Sequence, residues 1–468
     1  MKIAFCSSES YPFAKTGGLG DVAGALPVSL AKQHHQVKVF IPFYKGIKPK
    51  KIFDNYGYTK QSGVEFYFIK NDHYFQRDGY YQDGDCDYSD NLERFTFFNK
   101  KVLELLKELD FSPKIIHCND WQTSLISVYL KTAYSGDNFF KDAVSVLTIH
   151  NLAYQGLFNK DKYHFLGIPG QYFGIDGLEY YGQISFLKAG ILFSDVVNTV
   201  SPTYAKQIQN KEYGCGLGGV LKRRRGSLSG ILNAIDNKIW NPKTDNLIYK
   251  KYSKITIAEK AINKCKIQKD LGLKVDKNIL LLGMVSRLTE QKGLDILSQS
   301  LDKVLPGCQI AILGVGDQAY HRSLKKSAKK YKGSMAVTLK FDEELAHRIY
   351  AGSDVFLVPS RFEPCGLSQM ISYRYGTLPI VHETGGLADT VSDIKEGGMG
   401  FVFSDYSAQD LIFTIERARA YFQNKKKWYA TAKRAMSNVF SWETTAKRYI
   451  DMYKSAALNK TKCERMTV

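Results

Sequence analysis

Short apolar runs alternate with amphipathic stretches along the chain. In the first half, apolar runs predict β-strands at residues 3–6, 37–41, 114–117, 144–149 and 196–200. Between the second and third of these runs, apolar residues recur at helical spacing, namely Phe95, Phe98, Val102, Leu105 and Leu109. Strands that alternate with helices are typical of α/β proteins with parallel sheets, and we predict that class.

The alternation is interrupted at one place, which predicts a domain boundary. Residues 233–246 are rich in Asn, Asp and Pro and show no periodicity. Beyond them, apolar runs at 279–285, 309–313, 355–358 and 378–381 predict a second set of strands. We predict one domain over residues 1–235, a second over residues 236–440, and a ligand cleft between them. An apolar stripe in residues 441–468 predicts a C-terminal helix, which is a candidate to pack back on the first domain.

The amino-acid composition narrows the possible protein classes and binding partners. The 468 residues are 44% hydrophobic and 24% charged, as in ordinary globular proteins. The net charge is +19, but the basic residues are spread along the chain, so we expect a solvated basic surface and no nucleic-acid partner. The 8 cysteines show no C-x-x-C spacing, and the N-terminus begins with a strand rather than a signal peptide. Because the apolar runs are also too short to cross a bilayer, we predict a cytoplasmic protein with free thiols and no membrane partner.

A glycine-rich loop, residues 15–22, lies between the first predicted strand and a helix. Its glycines let the backbone approach a ligand closely, and the start of the helix offers N–H groups to an anion. Lys15 adds a positive charge, so we predict a phosphate-bearing substrate. Residues 18–23 also match the G-x-G-x-x-A dinucleotide fingerprint, but about ten residues separate the strand from the loop, where that fingerprint needs a tight turn. The next strand runs into basic Lys45 instead of an acidic residue, which argues further against a nicotinamide cofactor.

Polar residues follow the predicted strands in both halves. Asp120 follows one strand of the first domain, and His150 and Asn151 follow the next. In the second domain, residues 286–287, 314–317 and 360–363 each follow a strand. Ligands of doubly wound sheets bind beyond the carboxyl ends of the strands, so we expect these residues to line ligand sites.

Two cations and a carboxylate in the second domain indicate a substrate that carries a diphosphate and a sugar. Arg287 and Lys292 lie five residues apart near the start of a predicted helix, where they oppose the helix dipole unless an anion neutralises them. A leaving diphosphate would be such an anion. Glu363 begins a strand-to-helix elbow over residues 363–367, from which it can meet sugar hydroxyls or a developing positive charge. Residues 384–389 form another glycine-rich turn that enters a helix.

One motif suggests a metal site. Asp83 and Asp85 resemble the start of a calcium loop or the D-x-D of metal-dependent sugar transferases. Tyr88 and Arg94 break the calcium-loop pattern, and the two cations of the second domain would make a metal redundant. We interpret this segment as a surface loop, and we predict no metal and no cofactor.

The motifs together resemble, from end to end, those of bacterial glycogen synthases and plant starch synthases, glycosyltransferase family 5. Eight motifs occur in the family's order, at residues 15–21, 120–121, 148–156, 230–233, 286–288, 291–293, 361–367 and 384–389. The resemblance implies a GT-B fold, in which two Rossmann-like domains close over a cleft. It also implies a metal-independent hexosyltransferase. Such an enzyme transfers glucose from ADP-glucose to the non-reducing end of an α-1,4-glucan and retains the anomeric configuration.

The resemblance also implies the site residues. Those implied in catalysis are Asp120, His150, Arg287, Lys292 and Glu363. Those implied in substrate binding are Lys15, Gly17, Gly18, Asp21, Asn151, Asn233, Phe341, Cys365, Gly366, Leu367, Thr384 and Gly385.

The implied roles divide between the donor phosphates and the donor sugar. Lys15 and Gly18 would contact the donor phosphates, while the two cations of the second domain would stabilise the departing diphosphate. His150 would hold the donor glucose through its side chain or its carbonyl group. Glu363, with N–H groups of residues 365–367, would orient that glucose and support an oxocarbenium-like centre. The other residues implied are Asp120 and Asn233, which would line the cleft, and Phe341, which would stack on adenine.

The chain departs from the family at Ala234, where the family usually has glycine. An alanine would be strained there if the position required a positive φ. Ile371 stands where a sister family of transferases carries a second glutamate, which fits family 5.

Three other functions remain open: a glucan phosphorylase with pyridoxal phosphate, a hydrolase that uses two carboxylates, and a non-catalytic glucan-binding protein. The donor nucleotide, ADP rather than UDP, rests on the resemblance alone.

Overall fold

The computed structural model describes residues 1–84 and 86–466, with side chains up to residue 462. Asp85 of the metal motif lies outside the described residues. The chain divides into two compact units. The first comprises Met1–Asn233 together with the segment from Trp442 onward, and the second comprises Ala234–Ser441.

The first unit is built on one large sheet with helices between its strands. Its strands are β1 (Lys2–Cys6), β2 (Gln36–Pro42), β3 (Lys51–Ile52), β4 (Tyr56–Gln61), β5 (Val64–Ile69), β6 (Gln82–Asp83), β7 (Cys86–Asp87), β8 (Ile115–Asn119), β9 (Val144–Ile149), β10 (Leu157–Asn159), β11 (Glu179–Tyr180), β12 (Gln183–Ser185), β13 (Val196–Thr199) and β14 (Leu228–Gly230). Its first helices are α1 (Gly18–Lys32), α2 (Asp72–Phe75), α3 (Asn91–Glu108), α4 (Leu125–Lys131), α5 (Phe186–Phe193), α6 (Pro202–Gln207) and α7 (Gly218–Arg223).

The large sheet runs in the order β14-β13-β9-β8-β1-β2-β5-β4-β3. Neighbouring strands are parallel from β14 to β5, and β4 and β3 add an antiparallel edge. The central strands β8 and β9 are buried over their whole length. Strands buried on both faces are mostly apolar, which is why the sequence pattern located them.

The second unit has a parallel sheet of its own. Its elements are α8 (Lys260–Asp270), β15 (Leu280–Val285), α9 (Leu294–Val304), β16 (Cys308–Leu313), α10 (Gln318–Lys330), β17 (Met335–Thr338), α11 (Glu343–Gly352), β18 (Val355–Val358), α12 (Ser368–Arg374), β19 (Leu378–His382), α13 (Gly385–Thr390), β20 (Phe401–Phe403), α14 (Ala408–Gln423) and α15 (Lys425–Ser437). The strand order is β17-β16-β15-β18-β19-β20, and every neighbouring pair is parallel. In chain order this is 3-2-1-4-5-6, the order of a doubly wound dinucleotide-binding sheet.

The predicted strands are confirmed in both units, with ends within two residues of the prediction. The sequence pattern did not predict β5, whose apolar run is interrupted by Glu65. Glu65 lies on the sheet surface, where it accepts a hydrogen bond from Lys38 Nζ at 2.5 Å. A polar residue inside a parallel strand is thus tolerated here because it has a charged partner on the neighbouring strand β2.

The last helix, α16 (Trp442–Met466), packs on the first unit. Its Tyr453 Oη lies 2.6 Å from His117 Nδ1, and Asn198 Nδ2 donates to Tyr449 Oη at 3.3 Å. Burial lowers the pKa of His117 to about 3, so the ring is neutral at pH 7. These buried hydrogen bonds attach α16 to β8 and β13 of the first unit.

Ala234 begins the second unit without backbone strain. Among the described residues, the non-glycine residues with positive φ are His34, Ser62, Asp110, Asp120, Tyr181 and Cys215. Ala234 is not one of them, and its side chain is buried with 1% exposure. The strain considered for an alanine at this position is therefore absent.

Candidate functional site

The first unit gathers polar residues where the strand order of its sheet reverses, between β1 and β8. Glu9 lies three residues beyond β1, Asp120 directly follows β8, and His150 directly follows β9. Because parallel strands end at the same edge of a sheet, these residues lie at one edge, where ligands of such folds bind.

The glycine-rich loop leads into α1 at the same edge. Gly17 is the N-cap residue of α1 and provides no side-chain hydrogen bond to the first turn. Gly18 begins the helix, so its first N–H groups point out of the helix end, where an anion is stabilised. Lys15 Nζ forms an ion pair with Asp21 Oδ1 at 2.6 Å, and both side chains are about one-third exposed. The loop thus combines a cation with a helix N-terminus.

Glu9 holds this loop, and the sequence analysis missed it. The carboxylate is buried, with 3% exposure. It accepts hydrogen bonds from Thr16 N and Thr16 Oγ1, both at 2.5 Å, and from Tyr81 Oη at 2.8 Å. The rule that selected Asp120, a polar residue after a buried strand, would also have selected Glu9.

Asp120 has an unusual backbone and a shifted protonation equilibrium. Its φ is 54° and its ψ is −170°, a conformation that non-glycine residues rarely adopt and that often occurs at functional sites. Its Oδ1 accepts a hydrogen bond from His150 N at 2.7 Å, and the Asn151 N–H group also bonds to the carboxylate. Burial raises the pKa of Asp120 to about 7, although these two hydrogen bonds oppose the shift. The carboxylate therefore orients the backbone that follows β9.

His150 is neutral, and its hydrogen bond defines its tautomer. Burial lowers the pKa of His150 to about 3. Its Nε2 lies 2.9 Å from Asn119 Oδ1, and Asn119 Nδ2 donates to the Cys6 carbonyl oxygen at 2.9 Å. The Asn119 oxygen must then be the acceptor, so His150 Nε2 carries the proton. The lone pair of Nδ1 is consequently able to accept a hydrogen bond from a hydroxyl group.

Two predicted amides, Asn151 and Asn233, lie beyond strands of the first unit. Asn151 Oδ1 accepts a hydrogen bond from Ala153 N at 3.1 Å, which shapes the turn after β9. Asn233 follows β14 and is buried with 5% exposure. Its Oδ1 accepts no hydrogen bond within the described part of the chain. A buried amide oxygen without a donor is costly, so this atom is suited to accept from a ligand.

The second unit gathers its predicted residues where its strand order reverses, between β15 and β18. Arg287 follows β15 with an exposed side chain, and Lys292 ends a short turn over Glu290–Lys292. Gly293 comes next with a φ of +73°, and a Cβ there would overlap the Pro359 carbonyl oxygen. Only glycine fits this approach, which brings the Lys292 turn against the segment that follows β18.

Lys292 and Glu363 form an ion pair at this edge. Lys292 Nζ lies 2.7 Å from Glu363 Oε2, and their side chains are 17% and 8% exposed. Ser360 Oγ donates to the same oxygen at 2.8 Å. The backbone supports the pair, since Arg361 N donates to the Gln291 carbonyl oxygen at 2.9 Å. The structure thus brings together a cation and a carboxylate that are 71 residues apart in the chain.

Two turns pack against each other beside this pair. Gly366 adopts a φ of +73° in the elbow, and the Cys365 side chain is buried. Gly386 N donates to the Glu363 and Pro364 carbonyl oxygens at 3.0 and 3.2 Å, which joins the 384–386 turn to the elbow. Thr384, Gly385, Cys365, Gly366 and Leu367 therefore belong to one cluster with Glu363. Phe341 stands outside these contacts, in the loop between β17 and α11, with 83% of its surface exposed.

The described part of the chain holds neither a metal-binding cluster nor a helix that could span a membrane. Residues 1–84 and 86–462, whose side chains the structure describes, contain no cluster of three or more His, Cys, Asp or Glu residues that could hold a metal ion. Within the same ranges, every helix is too short or too polar to span a bilayer.

Comparisons with known proteins agree over nearly the whole chain. The family described as starch synthase catalytic domain matches residues 2–223, and the family described as glycosyl transferases group 1 matches residues 263–434. The glycogen synthase of Thermosipho melanesiensis is 45% identical over 481 residues, and that of Thermotoga maritima is 45% identical over 485 residues. Each alignment covers 97% of this chain and 99% of the relative.

Solved structures agree with these relatives. The catalytic domain of starch synthase IV from Arabidopsis thaliana, bound to ADP and acarbose, matches with a TM-score of 0.89 and 31% identity, over 97% of this chain and 99% of that one. Sucrose-phosphate synthase from Thermosynechococcus elongatus matches with a TM-score of 0.63 and 19% identity, over 97% and 98% of the two chains, which supports the fold alone. With the two parallel-sheet units, these matches confirm the predicted GT-B fold. The chain therefore belongs to the family of bacterial glycogen synthases and plant starch synthases, which are glucosyltransferases.

Proposed function

We propose that this chain transfers glucose from ADP-glucose to the non-reducing end of an α-1,4-glucan, with retention of the anomeric configuration. The observation that carries the proposal is the partly buried ion pair of Lys292 and Glu363 at the carboxyl edge of the second sheet. A sugar nucleotide presents a diphosphate beside a sugar, and the pair offers a cation and a carboxylate to those two parts. A relative of known structure, 31% identical, was solved with ADP and acarbose, which supports the choice of nucleotide and of glucan.

In the first unit, Lys15 and the N-terminus of α1 would bind the donor phosphates. Gly17 and Gly18 leave the backbone N–H groups accessible, and a phosphate would share Lys15 with its present partner Asp21. Backbone N–H groups and a flexible lysine are typical phosphate ligands.

In the second unit, Arg287 and Lys292 would stabilise the diphosphate as it leaves. The bond between the anomeric carbon and the diphosphate oxygen breaks, and its electron pair leaves on ADP. The hydroxyl oxygen at the non-reducing end of the glucan forms the new bond to the anomeric carbon, and its proton passes to the departing diphosphate. Fixed cations aimed at that oxygen lower the barrier, because they are in place before the charge develops. Phe341, with its exposed ring, would stack on the adenine.

Groups beside the cations would hold the donor glucose. Glu363 would accept hydrogen bonds from sugar hydroxyls and stabilise positive charge at the anomeric carbon, together with N–H groups at residues 365–367. Thr384 and Gly385 would line the same position, because their turn packs directly on the elbow. A carboxylate that is fixed by Ser360 and Lys292 needs little reorganisation during the reaction.

The remaining first-unit residues would position the sugars. His150 would accept a hydroxyl hydrogen bond at Nδ1, since Nε2 is committed to Asn119. Asp120 would set the backbone of His150 and Asn151, and Asn233 would offer its unpartnered amide oxygen. We place the reaction in the cytoplasm, because the cysteines of the described chain are free thiols, which persist in reducing compartments.

The test is nucleotide release from ADP-glucose and from UDP-glucose, with glycogen present and EDTA added. We expect release of ADP coupled to elongation of glucan chains. Release from UDP-glucose alone would overturn the choice of nucleotide. Phosphate-dependent release of glucose 1-phosphate would indicate a phosphorylase, free glucose without nucleotide would indicate a hydrolase, and glucan binding without turnover would indicate a binding protein.

A further inference from the structure

Glu9 is a buried carboxylate whose hydrogen-bond donors lie on two separate loops. Thr16 N and Thr16 Oγ1 donate to its two oxygens from the glycine-rich loop, both at 2.5 Å. Tyr81 Oη donates from the segment between α2 and β6, at 2.8 Å. Glu9 itself comes three residues after the buried strand β1, which lies at the centre of the sheet. The three hydrogen bonds therefore connect both loops to the centre of the sheet.

The charge of Glu9 is compensated by these donors. Lys15, the cation of the loop, pairs with Asp21 instead of Glu9. A buried carboxylate is costly unless hydrogen bonds replace its hydration. Its burial is therefore favourable only while Thr16 and Tyr81 stay in place, so the buried carboxylate and the position of the loop stabilise each other.

The loop is closely packed around this carboxylate. A Cβ added to Gly20, in the first turn of α1, would lie 3.0 Å from Lys15 Cβ and 3.2 Å from Glu9 Oε2. The Gly20 carbonyl oxygen accepts a hydrogen bond from Tyr11 N at 2.9 Å, and the backbone of Lys15 is hydrogen-bonded to Tyr80. The loop thus has little room to move without breaking the Glu9 contacts.

The second loop is anchored to the scaffold. Tyr81 Oη also contacts Ser8 Oγ at 2.7 Å, and the Tyr81 carbonyl oxygen accepts from Asn91 Nδ2 at 3.0 Å. The buried Arg94 of α3 donates to the Tyr80 carbonyl oxygen at 3.1 Å and to Asn91 Oδ1 at 2.6 Å. Glu9 therefore receives Tyr81 from a rigid position.

We propose that Glu9 is a positioning residue for donor binding: its carboxylate holds Thr16 against the sheet and thereby presents Lys15 and the N-terminus of α1 to the donor diphosphate. The proposal rests on the donor-phosphate role given to this loop in the proposed function. Glu9 touches no substrate in this role and acts through Thr16. A misplacement of about 1 Å at a binding group can cost on the order of 100-fold in rate.

The first test changes the two partners separately. Thr16 is exposed, so Thr16→Val should fold normally while it loses one hydrogen bond to Glu9, and Thr16→Ser keeps the hydroxyl. We expect Thr16→Val to raise the Kd for ADP and the KM for ADP-glucose about 10-fold, with the KM for glycogen unchanged. Thr16→Ser should remain within about 2-fold of the unchanged protein.

Glutamate variants separate position from charge. Glu9→Ala removes every contact and should lower kcat/KM about 100-fold. Glu9→Gln can still accept from Thr16 N through its oxygen and donate to the two hydroxyls through its amide, so it should recover to within about 3-fold of the unchanged protein. Glu65→Gln is the matched control, because Glu65 also accepts from a lysine and a tyrosine on the same sheet but lies on β5. It should not alter ADP binding.

The rate of amide hydrogen exchange at residues 15–20 tests the position of the loop without any sugar nucleotide present. Faster exchange in Thr16→Val and Glu9→Ala, with recovery in Glu9→Gln, supports the proposal. Unchanged exchange and unchanged ADP affinity in Thr16→Val would overturn it, as would a Glu9→Gln variant as impaired as Glu9→Ala. If the unchanged protein binds no ADP, the donor role of the loop fails, and the exchange data still decide whether Glu9 holds the loop.

Discussion

Removal of the Lys292 cation is the sharpest test of the leaving-group role. Lys292→Met keeps most of the side-chain length and apolar volume but removes the charge. In the structure Nζ lies 2.7 Å from Glu363 Oε2, and the lysine side chain is only 17% exposed. The variant therefore removes a fixed, partly desolvated cation, which is the kind of group that stabilises a developing negative charge.

Two free energies contribute to the expected effect. Loss of one preorganised group that stabilises the transition state typically costs about 3–4 kcal/mol, which is on the order of 10²–10³ in rate. Loss of the pair also leaves Glu363 Oε2 with Ser360 Oγ as its donor. Breaking a buried ion pair costs about 3–5 kcal/mol of stability, and we take about 2 kcal/mol here because both side chains retain some contact with water. A domain with a typical stability of about 5–15 kcal/mol stays folded after such a loss.

The assay is the initial rate of ADP release from ADP-glucose with saturating glycogen, in EDTA, at matched concentrations of folded protein. We expect kcat/KM for ADP-glucose to fall by about 10²–10³, mainly through kcat, because the missing charge acts on the leaving group. Lys330→Met is the control. Lys330 pairs with Asp302 at 2.6 Å, but the two side chains are 60% and 69% exposed, so kcat/KM should stay within about 2-fold.

A double variant distinguishes the missing cation from the unpaired carboxylate through stability. Lys292→Met combined with Glu363→Gln leaves no uncompensated carboxylate, so it should recover the free energy of unfolding lost in Lys292→Met. It should not recover activity, because both the cation and the carboxylate that would hold the donor glucose are missing. A Lys292→Met enzyme with kcat/KM close to that of the unchanged protein would refute the leaving-group role.

Three further outcomes are expected. The initial rate should be the same in EDTA and in Mg²⁺, because side-chain cations meet the diphosphate charge, and strict dependence on Mg²⁺ would contradict this. Burial raises the pKa of Asp120 to about 7, so its carboxylate takes up a proton as the pH falls through 7. We therefore expect kcat/KM to fall about 10-fold per pH unit below that value. The pH profile of Asp120→Asn should lack this fall at low pH. Gly156 has a φ of +61°, and a Cβ there would lie 2.6 Å from the Trp121 ring, so Gly156→Ala should lower the free energy of unfolding by about 2–4 kcal/mol in urea titrations. Gly136→Ala, with open space around it, should change the stability by less than about 1 kcal/mol.

The strands and their terminal polar residues were predictable because both are local properties. A strand buried on both faces is mostly apolar, and polar residues gather where it ends. Asp120 after β8, His150 after β9 and Glu363 near the end of β18 were found in this way. The motifs then supported the family, which the comparisons confirmed independently.

The hydrogen-bond partners were not predictable, because they depend on which strands become neighbours. The pairing of Lys292 with Glu363 requires β15 and β18 to lie side by side, although two strands and three helices separate them in the chain. The role of Glu9 required the loop at Thr16 to fold back onto β1. Local patterns carry no information about such contacts, since apolar strands of similar length are interchangeable until the sheet assembles.

The sequence by itself thus determined the α/β class, the positions of the buried strands, the glycine-rich loops and the family. Periodicity, turn chemistry and motif order are written into short stretches of chain. The tertiary structure alone decided that Asp120 has a raised pKa, that His150 is protonated on Nε2, and that Ala234 is unstrained. Each of these depends on burial or on a partner from another element, because protonation and backbone strain are set by three-dimensional surroundings and not by neighbours in the chain.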